Sequence, residues 1–473
     1  MKKIKSALVF APIMLLTVAS QISLNDNQGN KNGSEKISRI SIGFIDGLGP
    51  VEDVFKVMDI VDGHDDKPLW PNFKTSEIPV LVFDSINTWL FHSEVMPDGF
   101  SEVKEHPDVY QFSGQHPLVK GNSIVRLGDT WIATSVFSSY ARRTGEKYRA
   151  IDLAGIIIHE QFHIYSRTRH PGWQQNDGYL LLYPAETIDA LRLRRSEKEA
   201  FLKAVVSNNP NEIAGWVKEA FSYREKRFDG VAPVFVAYEK ELQRTEGLSD
   251  YIERVARGSN PLDASNITNG IAPAGIRDLG YVEGRWIAII LDKLNPGWKS
   301  VLEDNDALYL EDILKKTISE WTAEPKHFTT KETDSLNAGA KIDFNKWQDR
   351  KKQEIEQFNT TPGYRIEINA SNSPLTIRIF EPLEIEILDD GSVFHRMIFS
   401  AGNESGSLRI MNQPCITWFD NSLRIEKLAV NGLKEAPEII ENENKLFIRN
   451  SNISVELKYT KMSLNVSVYK IEL

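Results

Sequence analysis

The sequence of 473 residues contains a single cysteine, Cys415. One cysteine cannot form an internal disulfide, which excludes the small secreted domains that are held together by disulfides. Hydrophobic residues make up 41% of the chain and charged residues 26%, as in ordinary soluble proteins. The length therefore predicts two or three domains, each with a core of its own.

An excess of basic residues is also absent. Lysine and arginine number 56 against 66 aspartates and glutamates, so the formal net charge is −10. Binding to nucleic acid or to an anionic membrane normally requires a basic surface. We therefore expect no nucleic-acid partner and no attraction to a membrane surface.

No apolar run is clearly long enough to span a bilayer, which takes about 20 residues. The N-terminus has a lysine-rich start, an apolar stretch interrupted by Pro12, and small residues at its end. This pattern predicts a secretory signal peptide over residues 1–20, with an uncleaved anchor as the alternative. Residues 21–36 are polar and predict a disordered leader. With so little cysteine, we expect an extracytoplasmic bacterial protein, periplasmic or secreted, without stable membrane insertion after cleavage.

The sequence does contain a metal-ligand pattern, His159-Glu160-Gln161-Phe162-His163, which follows the apolar run 155–158. Side chains four positions apart lie on the same face of a helix, so both imidazoles can reach one ion. Glu160 would then stand beside a bound water as a base. The alternative is a pair of hydrogen-bonded core histidines on a buried helix.

A catalytic zinc site needs a third protein ligand and an open position. Residues 238–253 predict a helix on which Glu246 and Asp250 lie four apart. Glu246 could complete the zinc shell while Asp250 accepts the free ring N–H of a ligand histidine. Glu239 and Glu241 are competing ligands, and all these acids could instead form a solvated helix face.

These motifs together resemble the gluzincin branch of the zincin metallopeptidases, the thermolysin-like clan. The stretch 245–251 is similar to that of uncharacterised secreted bacterial members, and the resemblance covers about residues 80–310. It implies that His159, His163 and Glu246 bind a zinc ion (Zn2+), that Glu160 is the general base, and that Asp250 supports a histidine. His163 and Glu246 are 83 positions apart, a longer connection than in thermolysin itself.

The same resemblance implies two further roles. Zincins often stabilise the oxyanion with a tyrosine or histidine, and Tyr281 is the residue expected here, with simple packing as the alternative. A strand beside the cleft pairs with the extended substrate. Residues 130–137 are the candidate for that strand, or they form a buried strand without substrate contact.

The predicted fold class is α+β: a zincin-like core of a small β lobe and a helical lobe, then an antiparallel β-sandwich-like C-terminal domain. Strand-like patterns predict the β lobe over 37–146, and long amphipathic segments predict the helical lobe over 147–328. A linker and connecting helix should occupy 329–360. Alternating segments after a Pro-Gly turn predict the C-terminal domain over 361–473.

The predicted function is zinc-dependent hydrolysis of peptide bonds, with a peptide or protein as substrate. The Gly-x-Met-Glu-Asn signature of thermolysin-like aminopeptidases is absent, which favours an endopeptidase. Two alternatives remain at this point. One is a zincin-fold binding or chaperone-like protein without turnover, and the other is a zinc hydrolase of cell-wall peptides.

Overall fold

The computed structural model describes residues 50–137, 149–184, 187–259, 272–420, 422–442, 445–465 and 467–473. The predicted signal peptide and leader lie outside these residues. Among the described helices, none combines the length and the apolar character needed to cross a membrane.

The described residues form the expected mixed α+β fold, with three β-sheets and a helical region. They divide into two compact units. The first unit contains residues 50–169 and 252–259, and the second contains 170–251 and the chain from 272 onwards.

A six-stranded sheet forms the centre of the first unit, with strand order β3-β4-β2-β1-β6-β5. Strands β1 and β6 pair in parallel and the other neighbours are antiparallel. Helices α1 and α2 pack against each other, and α2 also packs against β5 and β6. The bounds are α1 Pro50–Asp62, β1 Val80–Phe83, β2 Asn87–Phe91, β3 Ser101–Val103, β4 His106–Ser113, β5 Ser123–Leu127, β6 Thr130–Val136 and α2 Ala150–Arg169.

The position of β6 corrects one prediction. This strand, which corresponds to the predicted segment 130–137, is hydrogen-bonded to β1 on one side and to β5 on the other. A strand paired on both sides has no free backbone groups for an added peptide. The substrate-pairing interpretation of β6 is therefore wrong, and its alternative, a buried strand, is confirmed by a run of buried residues at 132–136.

Helices dominate the first half of the second unit. The long amphipathic segments predicted for residues 147–328 include three long helices, Ile188–Val206 (α3), Pro210–Phe228 (α4) and Pro233–Ala256 (α5). Side-chain caps fix two of the starts, since Thr187 accepts from the backbone N–H of Ala190 and Asn209 from those of residues 211 and 212. The bounds are α3 Ile188–Val206, α4 Pro210–Phe228, α5 Pro233–Ala256 (whose last turn belongs to the first unit), α6 Ala272–Leu294, α7 Trp298–Glu303, α8 Leu310–Ser319 and α9 Thr330–Thr360.

Two sheets form the C-terminal part of the second unit. Their orders are β18-β19-β7-β14-β13-β10-β9 and β15-β16-β17-β12-β11-β8. Pairing is antiparallel as predicted, except that β7 and β19 are parallel. The bounds are β7 Tyr364–Asn369, β8 Thr376–Phe380, β9 Ile385–Ile387, β10 Val393–His395, β11 Ile398–Asn403, β12 Gly406–Met411, β13 Cys415–Phe419, β14 Ile425–Leu433, β15 Glu438–Asn442, β16 Lys445–Arg449, β17 Ile453–Lys458, β18 Lys461–Asn465 and β19 Val468–Glu472.

One hydrophobic core joins these sheets to the helices of the same unit. Residues of both sheets, such as Ile366 and Phe399, belong to the same buried cluster as Tyr238, Leu242 and Ile276 of helices α5 and α6. Because apolar burial is the main stabilising term, the C-terminal sheets help to hold the helices in place.

Candidate metal-binding site

Helix α2 brings the two predicted histidine ligands together. The Nε2 atoms of His159 and His163 lie 3.1 Å apart, and the two ring centroids lie 4.8 Å apart. His159 is buried and His163 is half-buried. The four-residue spacing therefore gives the geometry that the sequence predicted, with both imidazoles directed at one point.

The other residues of the motif anchor α2. Gln161 donates two hydrogen bonds from Nε2, to the backbone oxygens of Thr75 at 2.8 Å and Ile78 at 2.9 Å. Phe162 packs edge-on against the ring of Trp70. Glu160 is buried next to His159 in the chain. This helix is therefore fixed against the segment that leads into β1, while its histidines face away from that anchor.

Glu246 lies on α5 and is buried, with 1% of its surface exposed. Its Oε1 accepts hydrogen bonds from Nε2 of Gln175 and from Nη2 of Arg277, both at 2.8 Å. Arg277 in turn donates to Asp177 Oδ1 at 3.0 Å. Two donors on the same oxygen fix the orientation of the carboxylate, which a rigid metal ligand requires.

The potential ligand atoms of His159, His163 and Glu246 all lie within 4.8 Å of one another. In the part of the chain that the structure describes, this is the group of histidine, cysteine or acidic side chains that suits a single ion. Two imidazoles and a carboxylate are a common donor set for catalytic zinc, and they leave a fourth position for water. The residues present therefore fit a zinc ion.

Glu253 holds His159 from the other side of its ring. Nδ1 of His159 lies 3.2 Å from Oε2 of Glu253, within ion-pair distance, and Arg257 Nη1 donates to Glu253 Oε1 at 2.8 Å. Burial alone would raise the pKa of Glu253, but the hydrogen bond from His159 and the charge of Arg257 outweigh it and lower that pKa to about 2. The carboxylate therefore stays ionised and keeps the proton on Nδ1, which leaves Nε2 free to bind metal.

Asp250 was expected to support a ligand histidine, and Glu253 was not predicted. The Asp250 carboxylate forms a buried ion pair with Arg285, and its contact with a histidine stays a prediction. Glu253 lies seven residues after Glu246, which places both on one face of α5. That spacing was the signal in the sequence that could have identified Glu253.

Gly155 of α2 leaves room for the side chains of Glu253 and Arg257. A Cβ atom at this position would lie 2.5 Å from Cγ of Arg257 and 3.2 Å from Cγ of Glu253. Any larger residue would push both side chains away. The glycine at the start of the apolar run 155–158 is thus explained by close packing.

Tyr281, the predicted oxyanion-stabilising residue, lies beside Glu246. Its hydroxyl accepts a hydrogen bond from Nη2 of Arg277 at 3.3 Å and is hydrogen-bonded to Glu246. Burial raises the pKa of Tyr281, and the charge of Glu246 raises it further. The hydroxyl therefore keeps its proton and donates it towards the carboxylate, so the structure gives Tyr281 a contact with a candidate ligand.

Glu239, the competing candidate for the third ligand, binds other side chains. Its carboxylate accepts from Nη1 of Arg227 at 2.8 Å and from Arg194 at 3.4 Å, and also from the hydroxyl of Tyr183. Burial opposes ionisation, but the two arginines outweigh it and lower the pKa of Glu239 to about 2. Neither Glu239 nor the half-buried Glu241 belongs to the group around His159.

Comparisons with known proteins add no relative to this picture: no family model, curated protein or solved structure matches the chain. The resemblance to gluzincins therefore depends on the residues described above.

Proposed function

We propose that the protein is a zinc-dependent hydrolase of peptide bonds, with His159, His163 and Glu246 as metal ligands. The observation that carries the proposal is the grouping of these three donors with a buried acid, Glu160, directly after the first of them. A structural zinc site usually has four protein ligands, whereas three ligands and an adjacent carboxylate are typical of a catalytic one.

The residues of the chain divide the chemistry between them. Zinc, when bound, supplies the Lewis acidity that lowers the pKa of water and polarises a carbonyl. Glu160 accepts the proton of the attacking water and then delivers it to the nitrogen of the leaving amine. Glu253 keeps His159 in the metal-binding tautomer, while Arg277 and Tyr281 hold the carboxylate of Glu246.

Strand β5 is the better candidate to pair with a peptide. It is the last strand of its sheet on the β6 side, and within the described residues it pairs only with β6. Helix α2 packs against β5, so the free edge of this strand runs near the helix that carries both histidines. An extended substrate could add to this edge as a further strand.

Metal content is the first test. Mass spectrometry of the purified protein should find about one zinc per chain, as a single site predicts, and Glu246→Ala should retain markedly less. Glu241→Ala is the matched control, because Glu241 lies on the same helix outside the ligand group. Absence of zinc from the wild type after reconstitution would contradict the proposal and favour the zincin-fold binding protein.

Turnover is the second test. Glu160→Gln preserves size but removes the base, so it should abolish hydrolysis of a peptide library and retain zinc. Full zinc binding without hydrolysis by the wild type would favour the binding or chaperone-like alternative. Digestion of peptides and cell-wall peptides side by side separates an endopeptidase from a cell-wall hydrolase.

A further inference from the structure

Two arginines of the first unit meet on one tryptophan ring, outside the proposed ligand group. Arg126 on β5 and Trp131 on β6 are direct partners in the strand register. Arg167 reaches the same ring from α2. The guanidinium carbons of both arginines lie 4.8 Å from the centroid of the Trp131 ring. We name these three residues the arginine cluster.

Among the described residues, no carboxylate compensates the charges of the arginine cluster. Within the described residues, neither Arg126 nor Arg167 forms an ion pair, whereas buried arginines such as Arg224 and Arg277 bind carboxylates. Arg167 is half-buried, and burial and then the charge of Arg126 lower its pKa. The two like charges share the π face of one ring and have no carboxylate partner among the described residues, so they provide a site for an anion.

The arginine cluster lies close to the histidines along the chain. Arg167 follows His163 by four residues, as His163 follows His159, so the three side chains occupy successive turns on one side of α2. One such step is about 6 Å along the helix axis. Arg126 belongs to β5, whose edge is the proposed place for an extended peptide. A carboxylate of a bound peptide could thus reach both arginines.

We propose that the arginine cluster binds a carboxylate of the peptide substrate and makes the enzyme select acidic peptides. Guanidinium groups bind carboxylates with two parallel hydrogen bonds, and Trp131 holds the guanidinium planes in place. The carboxylate is supplied by an aspartate or glutamate side chain or by the free C-terminus of the peptide. This inference rests on the proposed function, because it assumes a peptide substrate.

The test uses the full-length, zinc-loaded protein and quenched fluorescent peptides of one parent sequence. A single glutamate is moved along the peptide, each member has a glutamine counterpart, and each is made with a free and an amidated C-terminus. We expect kcat/KM to favour one acidic member by roughly three- to tenfold over its neutral counterpart. The position of that member, or the effect of amidation, identifies which carboxylate is bound.

Variants then assign the preference to the arginine cluster. Arg126→Gln and Arg167→Gln should each bring the acidic-to-neutral ratio towards one, mainly through KM, and Arg167→Glu should invert it in favour of a lysine peptide. Arg449→Gln is the matched control, because Arg449 also lies over an aromatic ring, that of Phe447, but on a C-terminal strand. Thermal unfolding and zinc content check that the variants are folded.

The outcomes separate this inference from the proposed function. Hydrolysis of acidic and neutral peptides at equal rates by the wild type, or a preference that survives both glutamine variants, overturns the inference and leaves the peptidase proposal intact. If no peptide is hydrolysed, the proposed function fails. Fluorescence anisotropy with labelled forms of the same peptides then tests whether the arginine cluster binds a carboxylate. Binding that is lost when the glutamate is replaced by glutamine or when Arg167 is substituted supports the anion site. Equal binding of all the peptides overturns it.

Discussion

Glu253 and His159, 94 residues apart in the chain, are joined by a 3.2 Å contact between a carboxylate oxygen and the ring Nδ1. Arg257 fixes the carboxylate by a hydrogen bond of its own and also binds Asp152 at the start of α2. The histidine is thus oriented by a chain of charged groups that links the ends of two helices. Residues that orient a ligand histidine in this way usually make a large contribution to metal affinity.

We expect Glu253→Gln to weaken zinc binding by about 10- to 100-fold while the protein remains folded. Glutamine preserves the size of the side chain but its neutral amide no longer fixes the tautomer of His159. The measurement is the zinc dissociation constant from competition with a chelator, alongside thermal unfolding of the metal-free protein. Glu241→Gln on the same helix is the control. Unchanged affinity in Glu253→Gln would show that the contact has no part in metal binding.

Gly247, directly after Glu246, should not tolerate a side chain. A Cβ atom there would lie 2.6 Å from Cα of Gly284 and 3.0 Å from the backbone oxygen of Gly280, where α5 crosses α6. This close crossing brings Arg277 and Tyr281 of α6 next to Glu246. Any separation of the two helices therefore loosens the carboxylate ligand.

We expect Gly247→Ala to lower the free energy of unfolding by about 1–3 kcal/mol, because the extra methyl forces the helices apart. Zinc retention should fall with it. Chemical unfolding and metal content are the measurements. Gly172→Ala is the control, because a Cβ at Gly172 meets no atom within 4 Å. Equal losses of stability and zinc in Gly247→Ala and Gly172→Ala would show that the contact between the two helices is not the cause.

Local patterns in the sequence predicted the parts of the structure that depend on local spacing. The turn from His159 to His163 and the long helices follow from a period of 3.6 residues, and strand β5 from a short β-branched run. The ligand role of Glu246 is also a prediction from local spacing, because it was inferred from the position of this carboxylate on a predicted helix.

Features that depend on distant partners were beyond the sequence. The edge status of β5 and the interior position of β6 follow from the parallel pairing of β6 with β1, which is about 50 residues away. Glu253 lies on the face of α5 that its spacing from Glu246 indicates, but its partner His159 is 94 residues away in the chain, so the spacing alone does not predict their contact.

Arg224 connects three acids in the interior of the helical region. Its guanidinium donates to Glu197 at 2.6 Å, Glu283 at 2.8 Å and Glu311 at 3.0 Å, and all four groups are buried. Burial and the neighbouring acid Glu197 raise the pKa of Glu283 to about 7 in spite of this arginine. Arg227 also pairs with Glu197 and Lys240 with Glu311, both at 2.7 Å. Among the described residues, Glu283 is therefore the acid of this cluster that depends on Arg224 for its ion pair.

We expect Arg224→Met to lower the free energy of unfolding by about 3–5 kcal/mol, because it leaves the buried carboxylate of Glu283 without its cation and removes one of the cations that bind Glu197 and Glu311. Urea unfolding near neutral pH is the measurement. Arg192→Met is the control, since the pair of Arg192 with Asp189 is exposed and should contribute at most about 1 kcal/mol. A loss below about 1 kcal/mol for Arg224→Met would mean that the carboxylates take up protons at little cost.

His395 should make the C-terminal sheets sensitive to acid. It is buried on β10, where Nε2 is hydrogen-bonded to Oγ1 of Thr417 at 2.9 Å, and burial lowers its pKa from 6.5 to about 3. The folded protein therefore keeps this ring neutral, whereas the unfolded chain protonates it below pH 6.5. The stability that depends on the neutral ring is complete above pH 6.5 and is lost progressively as the pH falls towards 3.

Between pH 7 and pH 5 the free energy of unfolding should fall by about 2 kcal/mol because of His395 alone, since each pH unit below the unfolded pKa corresponds to about 1.4 kcal/mol. The measurement is urea unfolding at both pH values for the wild type and for His395→Gln, which cannot be protonated. We compare the slopes with pH, because the substitution also changes packing. His106→Gln, at an exposed histidine, controls for the replacement of one histidine by glutamine. An identical slope for the wild type and His395→Gln would show that water reaches the buried ring and that its burial does not control acid stability.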